Sequence, residues 1–158
     1  MFYEVPLIPQ CNTATCWWAC EQMIRRWAQV RSSPHTAAQV QQFGQAVCSQ
    51  NLSIRVGTPG AVDRIAQATG FRTARGSLTP EGWEQLLAAY GPLMYLGRTA
   101  GYRGISGAGH AVVVRGITDL DTLLINDPWE PGVGLQLSMA VVTFGMTFPR
   151  DDAPILHI

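Results

Sequence analysis

Lysine is absent from the 158-residue chain, and all 11 of its cationic side chains are arginine. The absence of lysine excludes a P-loop lysine, a Schiff-base lysine and a serine–lysine dyad. A basic surface is missing too, because 11 acidic residues balance the arginines to a formal net charge of zero. We therefore expect no nucleic-acid partner.

Long apolar runs and targeting signals are also scarce. No run approaches the roughly 20 residues that a membrane-spanning helix needs. The opening residues, MFYEVP, have neither the basic start nor the apolar core of a signal peptide. The sequence thus predicts no membrane partner and no visible anchor. Its length and 47% apolar content suit a single domain, residues 1–158, with a sizeable core.

Cysteine pairs of the CxxC type are missing. Four cysteines do not make a dense disulfide framework in a chain of this length, so reduced thiols are the simpler expectation. A disulfide between Cys11 and Cys48 is the alternative. A zinc site built from Cys11, Cys16, Cys20 and Cys48 is a further alternative, but spacings of five and four residues suit a structural zinc knot poorly. We expect no metal and no cofactor.

The most informative stretch runs from Gln10 to Met23 and reads QCNTATCWWACEQM. Its turn-forming NTAT segment leads into an amphipathic run with helical spacing, which predicts a helix from Cys16 to about Val30. A thiol at a helix N-terminus lies in the positive end of the helix dipole, which favours the thiolate. Cys16 is therefore the candidate nucleophile.

The rest of the first 91 residues is predicted to be mostly helical, with a strand or irregular link over Leu52 to Val56. Serine or threonine before proline marks each further helix start, and glycine marks two of the ends. The predicted helices run from Ser33 to about Val47, from Thr58 to Gly70, and from Thr79 to Gly91.

After Gly91 the pattern changes to short apolar runs, separated by a loop from Gly97 to Gly109 that contains five glycines. Helices followed by an antiparallel sheet define an α+β fold. The predicted strands are Leu93–Leu96, His110–Ile117, Thr122–Asn126 and Val141–Phe148.

A nucleophilic cysteine needs a base, and the chain has three histidines. His35 is predicted in the first turn of a helix, where an imidazole is usually solvated. His157 is penultimate, where fraying is the default. His110 opens a strand at the end of a flexible loop, which suits a base beside an open cleft. We therefore predict His110 as the base.

The base needs a group that orients it, and the return strand supplies one. With an even number of residues in the connection near residue 120, Asp127 shares a face with His110. Asn126 takes this role if the register differs. The amide of Gln10 and the backbone N–H of Cys16 are candidate donors to an oxyanion. Candidate substrate contacts are Trp18, Gly109 and Trp129. Packing under a loop is the favoured alternative for Trp18, and core packing explains Trp129 equally well.

Together these residues resemble the papain-like cysteine peptidase clan. The order is Gln10, then Cys16-Trp17 at a helix start, then His110 opening an apolar strand, then Asp127-Pro128-Trp129 on the return strand. In that clan an Asn or Asp followed two residues later by Trp orients the histidine, which favours Asp127 over Asn126. The motifs GHAVVVRG and NDP are most similar to compact bacterial branches. These branches are double-glycine leader peptidases of bacteriocin exporters and avirulence-type secreted effector peptidases.

The resemblance implies a papain-like fold whose N-terminal helical half packs on a C-terminal antiparallel sheet carrying His and Asp. It also implies a thiol peptidase that acts on a protein substrate, with cleavage after small residues such as Gly-Gly. The chain shows no transporter, signal peptide or inhibitory pro-segment. The expectation is therefore a secreted or injected effector that acts in a target cell's cytosol and is held inactive by an immunity or inhibitor protein.

Two other functions fit the same residues. Papain-like thiol enzymes also include amidases that act on peptidoglycan, deamidases and acyl transferases, which use the same three side chains. A binding module with a degenerate site is the third hypothesis.

Overall fold

The computed structural model describes residues 1–29, 38, 42, 45, 54–104, 107–149 and 155–158. Within these ranges the chain begins with helices and forms most of its strands later. The helices are α1 (Cys16–Gln29), α2 (Ala61–Thr69), α3 (Pro80–Tyr90) and α4 (Val141–Thr147). The strands are β1 (Arg72–Ala74), β2 (Leu93–Arg98), β3 (Gly109–Ile117), β4 (Thr122–Asp127), β5 (Leu135–Ala140) and β6 (Ile155–His157).

All six of these strands belong to one antiparallel sheet with the order β1-β6-β2-β3-β4-β5. β3 lies in the interior of the sheet, between β2 and β4. Gly97 of β2 is opposite His110, and Asn126 of β4 is opposite Val113. An N-terminal helix followed by this sheet confirms the predicted α+β class.

The two faces of the sheet are covered by different helices. Side chains alternate along β3, so Ala111 and Val113 pack in the core that contains α1. Val112 and Val114 pack on the opposite side, with the buried side chains of α3 and α4. His110 lies two residues before Val112, so its side chain is on the same face as Val112, whereas α1 covers the other face. Because His110 is at the start of β3, near the end of the sheet, the first residue of α1 can reach it around that end.

Helix α1 is braced by polar contacts as well as by its apolar face. The indole Nε1 of Trp17 donates to the carbonyl oxygen of Ile54 at 2.9 Å. Glu21, which is 2% exposed, forms an ion pair with Arg25 one turn later. Arg25 also donates to the carbonyl oxygen of Thr69, at the end of α2. These contacts fix the position of the residue that begins the helix.

A β-bulge in β3 sets its register with β4. Ile117 is opposite Leu123, which leaves residues 118–122 as an odd connection. The pairing then shifts between Val114 and Gly116, so that Arg115 has no residue opposite it on β4. A one-residue shift moves every following side chain to the other face. The bulge therefore gives Asp127 the face of His110, although the connection is odd and not even as the prediction assumed.

The predicted strand over Val141–Phe148 is wrong, because most of this segment is helix α4. Two adjacent valines suggested a strand, since β-branched residues favour sheets. The buried side chains are Val141, Phe144 and Phe148, spaced three and four residues apart, while Val142 is 74% exposed. That spacing belongs to one face of a helix.

Several other predictions need correction. His157 does not fray: it lies in β6, is 7% exposed and stacks on Tyr90 with ring centroids 4.0 Å apart. Strands β1, β5 and β6 were not predicted. Residues 54–60 contain no strand, and residues 52 and 53 lie outside the described ranges. The helix predicted from Ser33 to Val47, which includes His35, also lies outside them, except for the helical residues Ala38, Gln42 and Gln45.

None of the helices in the described ranges has the length and hydrophobicity required to span a membrane.

Candidate active site

Cys16 is the first residue of α1 and is 4% exposed. The carbonyl oxygen of Thr15 accepts the N–H of Ala19, so Thr15 occupies the N-cap position. The hydroxyl of Thr15 accepts the backbone N–H groups of Cys11 and Asn12 at 3.2 and 3.4 Å, and this closes the turn that precedes the helix. The N–H groups of the first helical turn have no intrahelical acceptor, so the N–H of Cys16 is free of the helix ladder.

His110 and Asp127 form a buried pair on one face of the sheet. The Nε2 atom of His110 is 2.7 Å from Oδ1 of Asp127. His110 is 3% exposed and Asp127 is completely buried. The bulge at Arg115 accounts for the pairing, because without it Asn126 would occupy this face. Asn126 instead donates to the carbonyl oxygen of Val5 at 3.0 Å, on the other side of the sheet.

Cys16 completes a chain of three side chains. Its thiol lies near enough to the His110 ring to help raise the pKa of that histidine. Since Nε2 of His110 is already bonded to Asp127, Nδ1 is the ring nitrogen left to face Cys16. The structure therefore brings Cys16, His110 and Asp127 into one connected arrangement, with the imidazole in the middle. This is the geometry in which a histidine exchanges a proton with a cysteine while a carboxylate fixes its orientation.

The electrostatics of the site favour a protonated histidine. Burial alone lowers the pKa of His110, but hydrogen bonds and charges from Asp127 and Cys16 outweigh burial and raise it from 6.5 to about 9. Burial raises the pKa of Asp127, but the hydrogen bond and charge of His110, with further donors, bring it below the ordinary value. At neutral pH the pair is thus an imidazolium and a carboxylate.

Two residues that the sequence did not single out also contact Asp127. The Tyr102 hydroxyl donates to Oδ2 of Asp127 at 2.6 Å, and Nη1 of Arg103 lies 3.6 Å from the same oxygen. Both belong to the glycine-rich connection between β2 and β3. This connection ends two residues before His110. A polar or aromatic side chain so close to the candidate base was the sequence signal that could have indicated them.

Gln10 is completely buried beside the end of β4. Its backbone N–H donates to the carbonyl oxygen of Pro128 at 3.0 Å, and its own carbonyl oxygen accepts the N–H of Gly132 at 2.8 Å. One hydrogen of its side-chain amide donates to the carbonyl oxygen of Asn12 at 2.8 Å. An amide nitrogen carries two hydrogens, so one donor remains for another acceptor. This geometry is compatible with an oxyanion donor.

The candidate substrate contacts occupy different environments. Trp129 is half-buried, with its ring edge-on to His110 at 6.1 Å, and its N–H donates to Oδ1 of Asp127 at 2.8 Å. Trp18 is also half-buried and packs against Trp17 at 5.8 Å. Gly109 lies directly against the backbone of Val56, so a Cβ atom on residue 109 would be 1.8 Å from the Val56 carbonyl oxygen. Trp129 therefore packs beside the His110–Asp127 pair, Trp18 packs against Trp17 and Gly109 lies against Val56, while their contact with substrate stays a prediction.

The cysteines do not behave alike. Cys11 is in a disulfide bond, which corrects the expectation of reduced thiols, and its possible partner Cys48 lies outside the described residues. A disulfide sulfur is not available as a thiolate ligand, which counts against the zinc alternative. Cys20 is a free thiol with no exposed surface, and burial raises its pKa well above the ordinary value. Among the described residues, no cluster of three or more His, Cys, Asp or Glu side chains is arranged to hold a metal ion.

Comparison with known proteins identifies a family for this chain. A family model described as the papain-like cysteine protease AvrRpt2 matches residues 2–144, a span that contains Gln10, Cys16, His110 and Asp127. No curated protein sequence matches the chain. The family match covers most of the chain and confirms the resemblance to papain-like peptidases of the avirulence effector type. The chain therefore belongs to the family of the papain-like cysteine protease AvrRpt2, and its α+β architecture is consistent with the papain-like fold.

Proposed function

We propose that this protein is a cysteine peptidase that cleaves a protein substrate with Cys16 as the nucleophile, His110 as the acid–base and Asp127 as the orienting carboxylate. The observation that carries the proposal is the position of His110. Its ring is bonded to Asp127 at 2.7 Å through Nε2, and Cys16 lies near enough to help raise the pKa of His110, in a buried site. We also propose that residues 1–158 form one catalytic domain.

The first half of the reaction follows from this arrangement. The reacting state has the proton shared by Cys16 and His110 on Nδ1 of the histidine, as the raised pKa of His110 favours, so that a thiolate faces an imidazolium. The thiolate attacks the peptide carbonyl carbon, and the C–N bond breaks as the imidazolium donates its proton to the departing amine. The products of this half are a thioester on Cys16 and a free amine.

In the second half, water attacks the thioester while His110 accepts a proton from it. The C–S bond breaks, the acid product leaves, and the Cys16 thiolate and the His110 imidazolium are regenerated. In both halves the carbonyl oxygen becomes an oxyanion. The backbone N–H of Cys16 and the side-chain amide of Gln10 are the donors proposed to stabilise it, and removing one such donor typically costs about 3 kcal/mol in the transition state.

Asp127 and Trp129 serve the histidine in this proposal. Asp127 holds the ring so that Nδ1 faces the sulfur, and its charge stabilises the imidazolium. Trp129 covers the pair edge-on at 6.1 Å and limits the access of water to the hydrogen bond between them. Exclusion of water strengthens electrostatic interactions within a site.

The biological setting is also part of the proposal. We propose a secreted or injected effector that acts on proteins in the cytosol of a target cell, with cleavage after small residues such as Gly-Gly. A dedicated immunity or inhibitor protein would bind it in the producing cell. The similarity to avirulence-type effector peptidases supports the effector role and the inhibitor protein, and the resemblance to double-glycine leader peptidases supports cleavage after small residues.

The test compares three forms of the purified chain on a target-cell lysate: the wild type, Cys16→Ala and Cys20→Ala. N-terminal proteomics then counts the new protein termini. We expect them with the wild type and with Cys20→Ala, which removes a buried thiol one helical turn away, and not with Cys16→Ala. The residues before each new terminus will show whether small residues precede the cut. Termini that do not depend on Cys16, or no termini at all, would refute the peptidase proposal.

A further inference from the structure

The carboxylate of Asp127 is bonded on both oxygens. Oδ1 accepts from the Trp129 N–H at 2.8 Å and faces His110 at 2.7 Å. Oδ2 faces away from the histidine and receives the Tyr102 hydroxyl at 2.6 Å, with Nη1 of Arg103 at 3.6 Å. Tyr102 is 8% exposed, so its hydrogen bond is shielded from water. One oxygen of the carboxylate therefore serves the histidine, and the other is held by two consecutive residues of the β2–β3 connection.

The backbone around this second oxygen is strained. Arg103 has φ 46° and Glu130 has φ 48°, the left-handed region that residues other than glycine rarely adopt. The two strained residues are also ion-paired, with Nη2 of Arg103 3.0 Å from Oε1 of Glu130. The Arg103 guanidinium thus contacts both Glu130 and Asp127. Backbone strain often persists where it serves a function, so this contact is a reason to seek one.

We infer that Tyr102 and Arg103 are positioning residues that act on His110 through Asp127, by holding Oδ2 and taking up part of the carboxylate charge. The inference rests on the proposed function of His110 as the acid–base. Neither residue contacts the reacting atoms in this role. Their effect is to limit how tightly Asp127 binds the proton of the imidazolium.

The physical reason is a division of charge. A carboxylate that accepts further donors stabilises an adjacent imidazolium less than a carboxylate with none. Without Tyr102 and Arg103 the charge of Asp127 would act more fully on His110, which would hold its proton more tightly. A more tightly held proton is passed less readily to the departing amine. The titratable and charged groups around the carboxylate are Cys16 and Cys20 on α1, Tyr102 and Arg103 on the connection, His110 on β3, and Glu130 after β4.

The test reads the protonation of His110 directly. Chains with ¹⁵N-labelled histidine are titrated by NMR, which is tractable because the sequence has three histidines. His110→Ala identifies the signal. We expect Tyr102→Phe and Arg103→Gln each to raise the His110 midpoint by about half to one pH unit, and the double variant to raise it further. Once a substrate is identified, kcat should fall several-fold in each variant while KM changes little.

Matched controls separate this role from a structural one. Tyr3→Phe removes a hydroxyl that donates to the Leu87 carbonyl oxygen at 2.8 Å, and Arg72→Gln removes an exposed arginine. Both controls should leave the His110 midpoint unchanged. A midpoint that stays the same or falls in the Tyr102 and Arg103 variants would overturn the inference. Because the titration needs no substrate, it can fail or succeed independently of the proteomic test of peptidase activity.

Discussion

The replacement Asp127→Asn removes one charge from the centre of the site and keeps the shape of the side chain. In the wild type the backbone N–H of Trp129 donates to Oδ1 of Asp127 at 2.8 Å, and the oxygen of the asparagine amide can still accept this bond. It can no longer stabilise an imidazolium by its charge. The buried environment of His110, which lowers the pKa, remains. The substitution therefore isolates the electrostatic contribution of the carboxylate from its packing.

The magnitude follows from the contact distance. A carboxylate this close to an imidazole raises its pKa by about 1–3 units. We expect the His110 midpoint to fall by about two units from its wild-type value of about 9. This corresponds to roughly 3 kcal/mol of differential interaction. At pH 8 the protonated fraction would drop from roughly nine-tenths to roughly one-tenth, and cleavage would slow by about tenfold or more.

The measurement is the NMR titration of ¹⁵N-labelled histidine in Asp127→Asn and in the wild type. Asp119→Asn makes the same chemical change at an exposed position and serves as the control. The Asp127→Asn midpoint should move down, opposite to the direction expected for the Tyr102 and Arg103 variants. A wild-type midpoint near 6.5, or an Asp127→Asn midpoint within half a unit of the wild type, would refute this electrostatic account.

Two further predictions concern packing and thiol chemistry. Gly109→Ala places a Cβ 1.8 Å from a backbone carbonyl oxygen, so we expect at least about 1–3 kcal/mol of destabilisation and loss of activity. Gly145→Ala, in α4 with no atom near its Cβ, should be neutral or slightly stabilising, and equal denaturation midpoints for the two variants would contradict the steric argument. In the native, non-reduced protein, iodoacetamide should alkylate Cys16 and spare Cys20, which is buried and protonated, and Cys11, which is disulfide-bonded. Mass spectrometry that finds Cys20 or Cys11 labelled as fast as Cys16 would contradict this assignment.

The parts of the site that the sequence could predict are those that carry a local signal. The turn before Cys16 and the apolar spacing after it predict a helix N-terminus, and the structure begins α1 there. A histidine at the start of an apolar run predicts a strand that carries a base, and β3 begins one residue before His110. These features depend on neighbours in the chain, so short patterns capture them.

The parts that could not be predicted depend on contacts between distant segments. Tyr102 lies in the connection between β2 and β3, and its contact with Asp127 exists only because that distant residue comes within 2.6 Å of it. Helix α4 resembles a strand in sequence, and its helical burial depends on the cluster of Phe144 and Phe148 with the sheet. The sequence contains no CxxC pattern that would indicate the disulfide of Cys11. Tertiary packing decides such features, and local propensity is then a weak guide.

The bulge at Arg115 decides which of two adjacent residues faces the histidine. Asn126 and Asp127 are adjacent, and both residue types orient histidine in papain-like enzymes. The choice between them is made about a dozen residues away, by whether Arg115 bulges out of β3 or pairs with β4. If Arg115 were paired, each residue before it in β3 would shift by one position against β4, and Asn126 would take the face of His110. The side chain presented to the histidine in this chain thus depends on the backbone conformation of a residue that belongs to neither motif.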